Sequence, residues 1–198
     1  MDKKEMKAFF DRLASNWDED CYHNEAKINK ILDYAGITAN ISVLDVACGT
    51  GVLFPYYLQR NVKQIVGVDI STEMIAEAAK KFDDPRVELI CDDVESVIFD
   101  KKFDRCIIYS ALPHFEDPAR LIRFLADILL PGGRLTVAHS ESRAIIDDRH
   151  LNHAYSVSIG LLPEDELAKL FEPFFDVDLI PSNDEMYVVS GVKKHNIL

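Results

Sequence analysis

The stretch Val43-Leu44-Asp45-Val46-Ala47-Cys48-Gly49-Thr50-Gly51 constrains this chain more than any other. An apolar run opens it, two glycines close it, and an amphipathic segment from Val52 to Arg60 follows, which is the pattern of a strand, a tight turn and a helix. Such a turn suits a nucleotide. Gly49 and Gly51 let the backbone approach a ligand with no Cβ in the way, and the helix expected to begin near Gly51 points its unpaired N–H groups at the same space. A second short strand, Gln64 to Val68, leads to Asp69, eighteen residues past Gly51. That spacing suits a carboxylate at a strand end that accepts both hydroxyls of a ribose.

Dinucleotide enzymes use a glycine-rich turn too, but their fingerprint places a third small residue three positions after the second glycine, around a pyrophosphate. Phe54 stands there, and its ring argues against NAD. Leu44-Asp45-Val46-Ala47-Cys48-Gly49-Thr50-Gly51 resembles instead the first motif of the class I S-adenosylmethionine-dependent methyltransferases, Asp-x-Gly-x-Gly-x-Gly. Ala47 replaces its first glycine, so φ below zero is expected at that turn position.

The 198 residues fit one domain with a substantial core, and 48% apolar with 28% charged residues describe an ordinary globular chain. A net charge of −12 repels a phosphate backbone, and the basic residues cluster only in pairs such as Lys101-Lys102, so no nucleic-acid partner is expected. Cys21, Cys48, Cys91 and Cys106 form no Cys-x-x-Cys pair and read as reduced residues of a cytoplasmic protein. The charged N-terminus lacks a signal-peptide core and no run of about 18 apolar residues occurs, so no membrane association is expected.

Met6, Phe9, Phe10 and Leu13 share one helical face, predicting a helix over Lys4 to Ala14. Asn24 caps a second helix carrying Ile28, Ile31, Leu32 and Ala35, ended by Gly36. These two helices, within residues 1–38, are expected to lie across the ligand-bearing edge of the sheet as a lid. Residues 41–192 alternate strand and helix, an α/β core. A helix capped by Ser71, a strand Val87 to Cys91 ending at Asp92-Asp93, and a strand Arg105 to Tyr109 follow. Asp117 caps a helix with Leu121, Leu125, Ile128 and Leu129 inward, stopped by Pro131-Gly132-Gly133, before a strand Arg134 to His139. Part of Ser140 to Ile159 is expected to be helical, as is Pro163 through Phe171. Runs Phe174 to Ile180 and Met186 to Val192 are joined too tightly for anything but antiparallel pairing. The resulting fold is a Rossmann-like, seven-stranded, mostly parallel sheet with a C-terminal antiparallel hairpin strand, the layout the resemblance also implies.

The resemblance further implies S-adenosylmethionine as cofactor, lying over the carboxyl ends of the strands. Asp45 with the backbone of Ala47, Cys48, Gly49 and Gly51 would meet its amino-acid portion, and Asp69, followed by Ile70, its ribose. Asp93 and Val94 would read the adenine, with Asp92 as the neighbouring possibility, and Tyr109 or Ser110 would close the site near the sulfonium. Methyl transfer needs a general base only where the acceptor must lose a proton, and His114 and His139, at the ends of neighbouring strands, are the catalytic candidates. Tyr22, His23 and Arg143 are candidates for a small-molecule substrate, Trp17 and Tyr22 as packing surfaces and Arg143 as an anchor for carboxylate or phosphate. His23, His114, His139 and His150 could gather round a metal, but their spacing matches no ligand signature and no metal is assigned. His150 and His153 read as partly exposed, hydrogen-bonded residues. Two other functions compete, a binding module that holds the nucleoside without methylating anything and an NAD-dependent oxidoreductase.

Overall fold

In the computed structural model the described residues are 2–21, 23–153 and 157–195, with backbone alone for 149–153. Five parallel strands, β1 (Ser42–Val46), β2 (Gln64–Asp69), β3 (Val87–Cys91), β4 (Phe103–Tyr109) and β5 (Leu129–His139), are completed by β6 (Phe175–Leu179) and β7 (Tyr187–Lys193). Their order is β3-β2-β1-β4-β5-β7-β6, and β7 runs antiparallel to both of its neighbours. The order reverses between β1 and β4. The crevice above their carboxyl ends is where an open α/β sheet receives a ligand.

Alternation along each strand separates two packing layers. Leu44, Val46, Val66, Val68, Ile108 and Val137 face one way and meet α6 (Pro118–Ile128) and α8 (Glu164–Phe171) through Leu121, Leu125, Leu167 and Phe171. Val43, Ile65, Ile107 and Ala138 face the other way, against Ile28, Ile31 and Leu32 of α3 (Glu25–Tyr34) and Tyr57 of α4 (Phe54–Gln59). The second of the two helices expected as a lid is therefore a layer helix. Its stripe is wholly buried because a sheet face is the largest apolar surface within reach. Only α1 (Lys3–Leu13), which has no fully buried residue, lies over the crevice, followed by a 3-10 turn and the short α2 (Trp17–Asp20).

The expected caps are in place. Asn24 accepts from Lys27 N–H at 3.1 Å, Ser71 from Met74 N–H at 3.1 Å to start α5 (Thr72–Lys81), and Asp117 from Arg120 N–H at 2.9 Å. Two boundaries differ from expectation. Leu129 is extended and leaves α6 for β5, pairing with Phe103, and five residues on β5 then answer two on β4. Pro131-Gly132-Gly133 is thus a bulge inside a strand rather than a helix stop, and a Cβ on Gly133 would lie 2.9 Å from Leu130 O. The helix after the glycine turn begins only at Phe54. Arg143–His153 forms α7, within the stretch expected to be partly helical.

Phe54 explains two glycines at once. Its ring is fully buried, and a Cβ on Gly67 of β2 would come 2.5 Å from its Cζ while one on Gly51 would come 2.8 Å from its Cδ2. The space a dinucleotide fold keeps for its third small residue is filled by a phenyl ring, and β2 makes room for it. Gly67→Ala is expected to destabilise the fold by about 1 to 3 kcal/mol through overpacking, read as a lower denaturant midpoint at unchanged slope. An unshifted midpoint would show that the ring moves aside at no cost.

Candidate active site

The turn after β1 is held by Cys48 N–H donating to Val68 O at 3.1 Å and Gly51 N–H donating to Cys48 O at 2.9 Å. Ala47 has φ of 55°, contrary to the negative value expected from its Cβ, and Gly49 and Gly51 have 55° and 82°. Closing the turn on both strands outweighs the left-handed penalty for the smallest side chain, about 1 to 2 kcal/mol. The two glycines do different work. Gly51 is packed under Phe54 and Phe82 and is absent from the cavity wall. A Cβ on Gly49 would touch only Trp17 Nε1, at 4.0 Å, with the cavity beside it.

Asp69 ends β2 and spans the turn. Its Oδ2 accepts from Gly49 N–H and its Oδ1 from Ser71 N–H, each at 2.8 Å. Both oxygens keep accepting capacity beyond these bonds, since a carboxylate offers about four lone-pair positions. Burial raises the Asp69 pKa, offset in part by the two N–H groups. Asp45, buried on β1, is pushed up to about 8 by desolvation, with nearby Asp69 adding to the rise. The Tyr57 phenol holds that value down by its proximity, though its hydroxyl makes no hydrogen bond of normal geometry. Burial pushes the Cys48 thiol far up, so it is inert as a nucleophile.

One cavity gathers Asp45, Ala47, Cys48, Gly49, Asp69, Ile70, Asp93, Val94, Tyr109 and Ser110, so every residue expected around the nucleoside except Gly51 lines it. Asp92 lines it as well. Lys3 of α1 pairs with Asp93, whose other oxygen accepts from Glu95 N–H at 3.2 Å. Met6 and Phe10 of α1 and Trp17 of α2 form the roof. Asp11 accepts from Ser71 Oγ at 2.7 Å, and Asp18 from Thr50 Oγ1 at 2.5 Å and from Lys81 at 2.6 Å, so the roof is tied to the glycine turn and to α5. Met6 and Phe10 belong to the apolar stripe of the first helix expected over the ligand-bearing edge, where α1 lies. Lys3 was not foreseen, because nothing beside it in the chain points to Asp93.

The histidines separate. His114 lines the cavity, donates from Nδ1 to Val157 O at 2.7 Å and meets Phe10 edge-on at 5.0 Å. His23 lines it too, with Nδ1 3.1 Å from the Tyr109 hydroxyl, which donates to Ser140 Oγ at 2.9 Å. His139 is not brought there. Strand alternation turns it to the other layer, 1% exposed against the Tyr187 ring at 5.9 Å. Arg143 lies on α7, 3.8 Å from Asp147, outside the wall. Tyr22 and the side chains of His150 and His153 lie outside the described residues. Among the described residues no group of three or more His, Cys, Asp or Glu could hold a metal ion.

Residues 44–137 match the family described as methyltransferase domain. These residues form a methyltransferase domain with the class I S-adenosylmethionine-dependent methyltransferase fold. A malonyl-[acyl-carrier protein] O-methyltransferase of Acetivibrio thermocellus is 30% identical over 138 residues, 68% of this chain and 49% of the relative. A tRNA U34 carboxymethyltransferase of Pseudoalteromonas atlantica is 31% identical over 117 residues, 58% of this chain and 36% of the relative. The chain therefore spans about half the length, or less, of these curated relatives. An S-adenosylmethionine-dependent methyltransferase from Mesorhizobium loti shares the fold, with a TM-score of 0.72 at 15% identity over 86% of this chain and 99% of that one.

The residues of this methyltransferase domain fit the cofactor. Gly49 has no Cβ where the cavity meets the turn, Asp45 and Asp69 are buried acids with no cation paired to them among the described residues, and Asp69 keeps acceptor positions open for hydroxyl donors. An ammonium and a ribose supply both. Without ligand the folded state keeps a proton on Asp45 between about pH 4 and about pH 8 that the unfolded chain has lost, so stability falls as pH rises across that window. Asp45→Asn is expected to raise the melting temperature, by a margin that widens from pH 4 to pH 8, and to weaken S-adenosylhomocysteine binding. A margin independent of pH in thermal scans would rule out a buried, protonated Asp45.

Proposed function

We propose that this chain transfers a methyl group from S-adenosylmethionine to a small or medium-sized acceptor molecule in a reducing compartment such as the cytoplasm. The observation carrying this reading is the joining, in one roofed cavity, of the glycine turn, the strand-end carboxylates Asp45, Asp69 and Asp93, and an imidazole, His114. The bound cofactor supplies a methyl group already activated on a sulfonium. What remains for the protein is alignment, exclusion of water and removal of a proton. Asp45, the Gly49 turn and Asp69 hold the nucleoside at the ends of β1 and β2, while Met6, Phe10 and Trp17 keep water out. His114, its ring oriented by Nδ1 donating to the Val157 carbonyl, is the imidazole that lines the cavity where the acceptor's proton would leave.

The competing readings fit less well. Phe54 occupies the position a dinucleotide needs, between Gly51 and Gly67. A binding module that only stores the nucleoside has no use for an imidazole in the same wall. A nucleic-acid acceptor meets a net charge of −12, and the cavity cations Lys3 and Arg120 are already paired with Asp93 and Glu95.

S-adenosylhomocysteine should raise the melting temperature of the wild type while NADH does not. Gly49→Val is expected to abolish that binding with the sheet still folded by circular dichroism, because its branches enter the cavity from a left-handed backbone. Asp69→Ala should weaken binding by about 1 to 3 kcal/mol in calorimetry. His114→Gln should leave that affinity intact and lower turnover of a metabolite panel, read as S-adenosylhomocysteine released, by about a hundredfold. Loss of nucleoside affinity in His114→Gln would reassign the residue to the cofactor pocket.

A further inference from the structure

One buried polar group has no part in the chemistry assigned so far. Tyr57 of α4 is fully buried, its ring 6.3 Å from that of Phe54, and its hydroxyl has no hydrogen-bond partner of normal geometry among the described residues. Phenylalanine would fill the same space without the cost of a desolvated, unpaired O–H, and buried polar groups in folded proteins are as a rule satisfied. A partner is therefore expected in the working state of the site.

Strand alternation identifies that partner. Asp45 shares with Val43 the face of β1 that α3 and α4 cover, and in register with it stand Gly67 on β2 and Ile107 on β4. Neither flanking strand offers Asp45 a polar neighbour there, and α3 brings Ile28, Ile31 and Leu32 to the same layer. Asp45 thus faces the cavity on one side and the Tyr57 phenol on the other. The other ionisable groups around the pair are Asp69 at the end of β2, Cys48 in the turn and Cys106 on β4. Burial pushes both thiols well up, so they stay neutral, and Asp69, whose oxygens accept from Gly49 and Ser71 N–H, only repels a second charge. Among these groups the phenol is the strong donor that Asp45 can meet when ionised.

Resting on the methyl-transfer reading, we infer that Tyr57 is a positioning residue for the donor, its phenol turning onto the Asp45 carboxylate as that carboxylate ionises against the ammonium of the nucleoside's amino-acid portion. The Asp45 proton leaves to solvent through the cavity. Tyr57 keeps its own proton, since burial and the neighbouring Asp45 push the phenol well above its ordinary value. Without ligand Asp45 holds its proton up to about pH 8, so binding below that pH releases one proton and strengthens about tenfold per pH unit. A hydrogen bond to the charged form favours ionisation, so the hydroxyl moves this window toward lower pH and its removal moves the window up.

The test is calorimetric titration with S-adenosylhomocysteine from pH 6 to pH 8.5, in two buffers of different ionisation enthalpy, so that affinity and proton release are read together. The wild type should bind about tenfold more tightly at pH 7 than at pH 6 and flatten toward pH 8.5, releasing about one proton at pH 6.5 and about a quarter at pH 8.5. Tyr57→Phe should bind about tenfold more weakly at pH 7, with its affinity still climbing and most of a proton still released at pH 8.5. Asp45→Asn should abolish both the pH dependence and the proton release, and adding Tyr57→Phe to it should change the affinity no further. In crystals of the wild type with S-adenosylhomocysteine, a readout that needs no variant, Tyr57 Oη should stand about 2.6 Å from an Asp45 oxygen. A wild-type affinity independent of pH, a Tyr57→Phe profile matching the wild type, a further loss in the double variant, or a hydroxyl turned away from Asp45 in the complex would each overturn the assignment. Failure of the wild type to bind S-adenosylhomocysteine at any pH defeats the methyl-transfer reading itself, whereas binding without this coupling defeats only the role of Tyr57.

Discussion

The carboxylate of Asp69, accepting from Gly49 N–H on one oxygen and Ser71 N–H on the other, is the contact on which the rest of the site depends. It draws the turn after β1 against the end of β2 and starts α5 in the same stroke. Ser71 then passes the constraint outward, because its hydroxyl both caps α5 and donates to Asp11 on α1. The floor of the cavity and its roof are thus one hydrogen-bonded assembly, and a disturbance at Asp69 reaches both. A hydrogen bond to a charged, buried acceptor is worth more than a neutral one, which is why a single residue can organise so much backbone.

That arrangement sets stability against binding. Asp45 and Asp69 sit in a desolvated pair whose ionised forms repel each other, and the protein tolerates the cost because the sheet around them is deeply packed. A ligand bringing a cation favours the ionised form of Asp45, so binding it near neutral pH is coupled to loss of the Asp45 proton. The roof follows a different logic. It has little buried apolar surface of its own and is held by polar ties from Lys3, Asp11 and Asp18 to residues of the crevice, so it belongs to the least stable part of the fold.

The legible parts of the chain were those written in local chemistry. Asn24, Ser71 and Asp117 announced helix starts because a side-chain oxygen before an amphipathic run has one dominant use there. Alternating apolar strands and the short Pro181 to Glu185 link predicted the antiparallel finish that β7 provides. The misreadings came where distant segments decide. Pro131-Gly132-Gly133 looked like a helix stop because nothing local says that β4 will pair across it. His139 looked like a cleft residue because strand-end position is readable while the face it turns to depends on register. Ala47 took a left-handed backbone because the closure of two strands, not its own preference, sets φ.

The order of residues alone determined the seven strands, the glycine turn at the end of the first and the acid at the end of the second, since periodicity and turn chemistry act over a few neighbours. Tertiary structure decided which side chains share the cavity. It placed His114 and His23 in one wall and His139 in the other layer, packed Gly51 beneath Phe54, and laid α1 rather than α3 over the opening. Those outcomes turn on contacts between residues far apart in the chain, where burial of the more apolar helix takes precedence and the less apolar one is left to cover the opening.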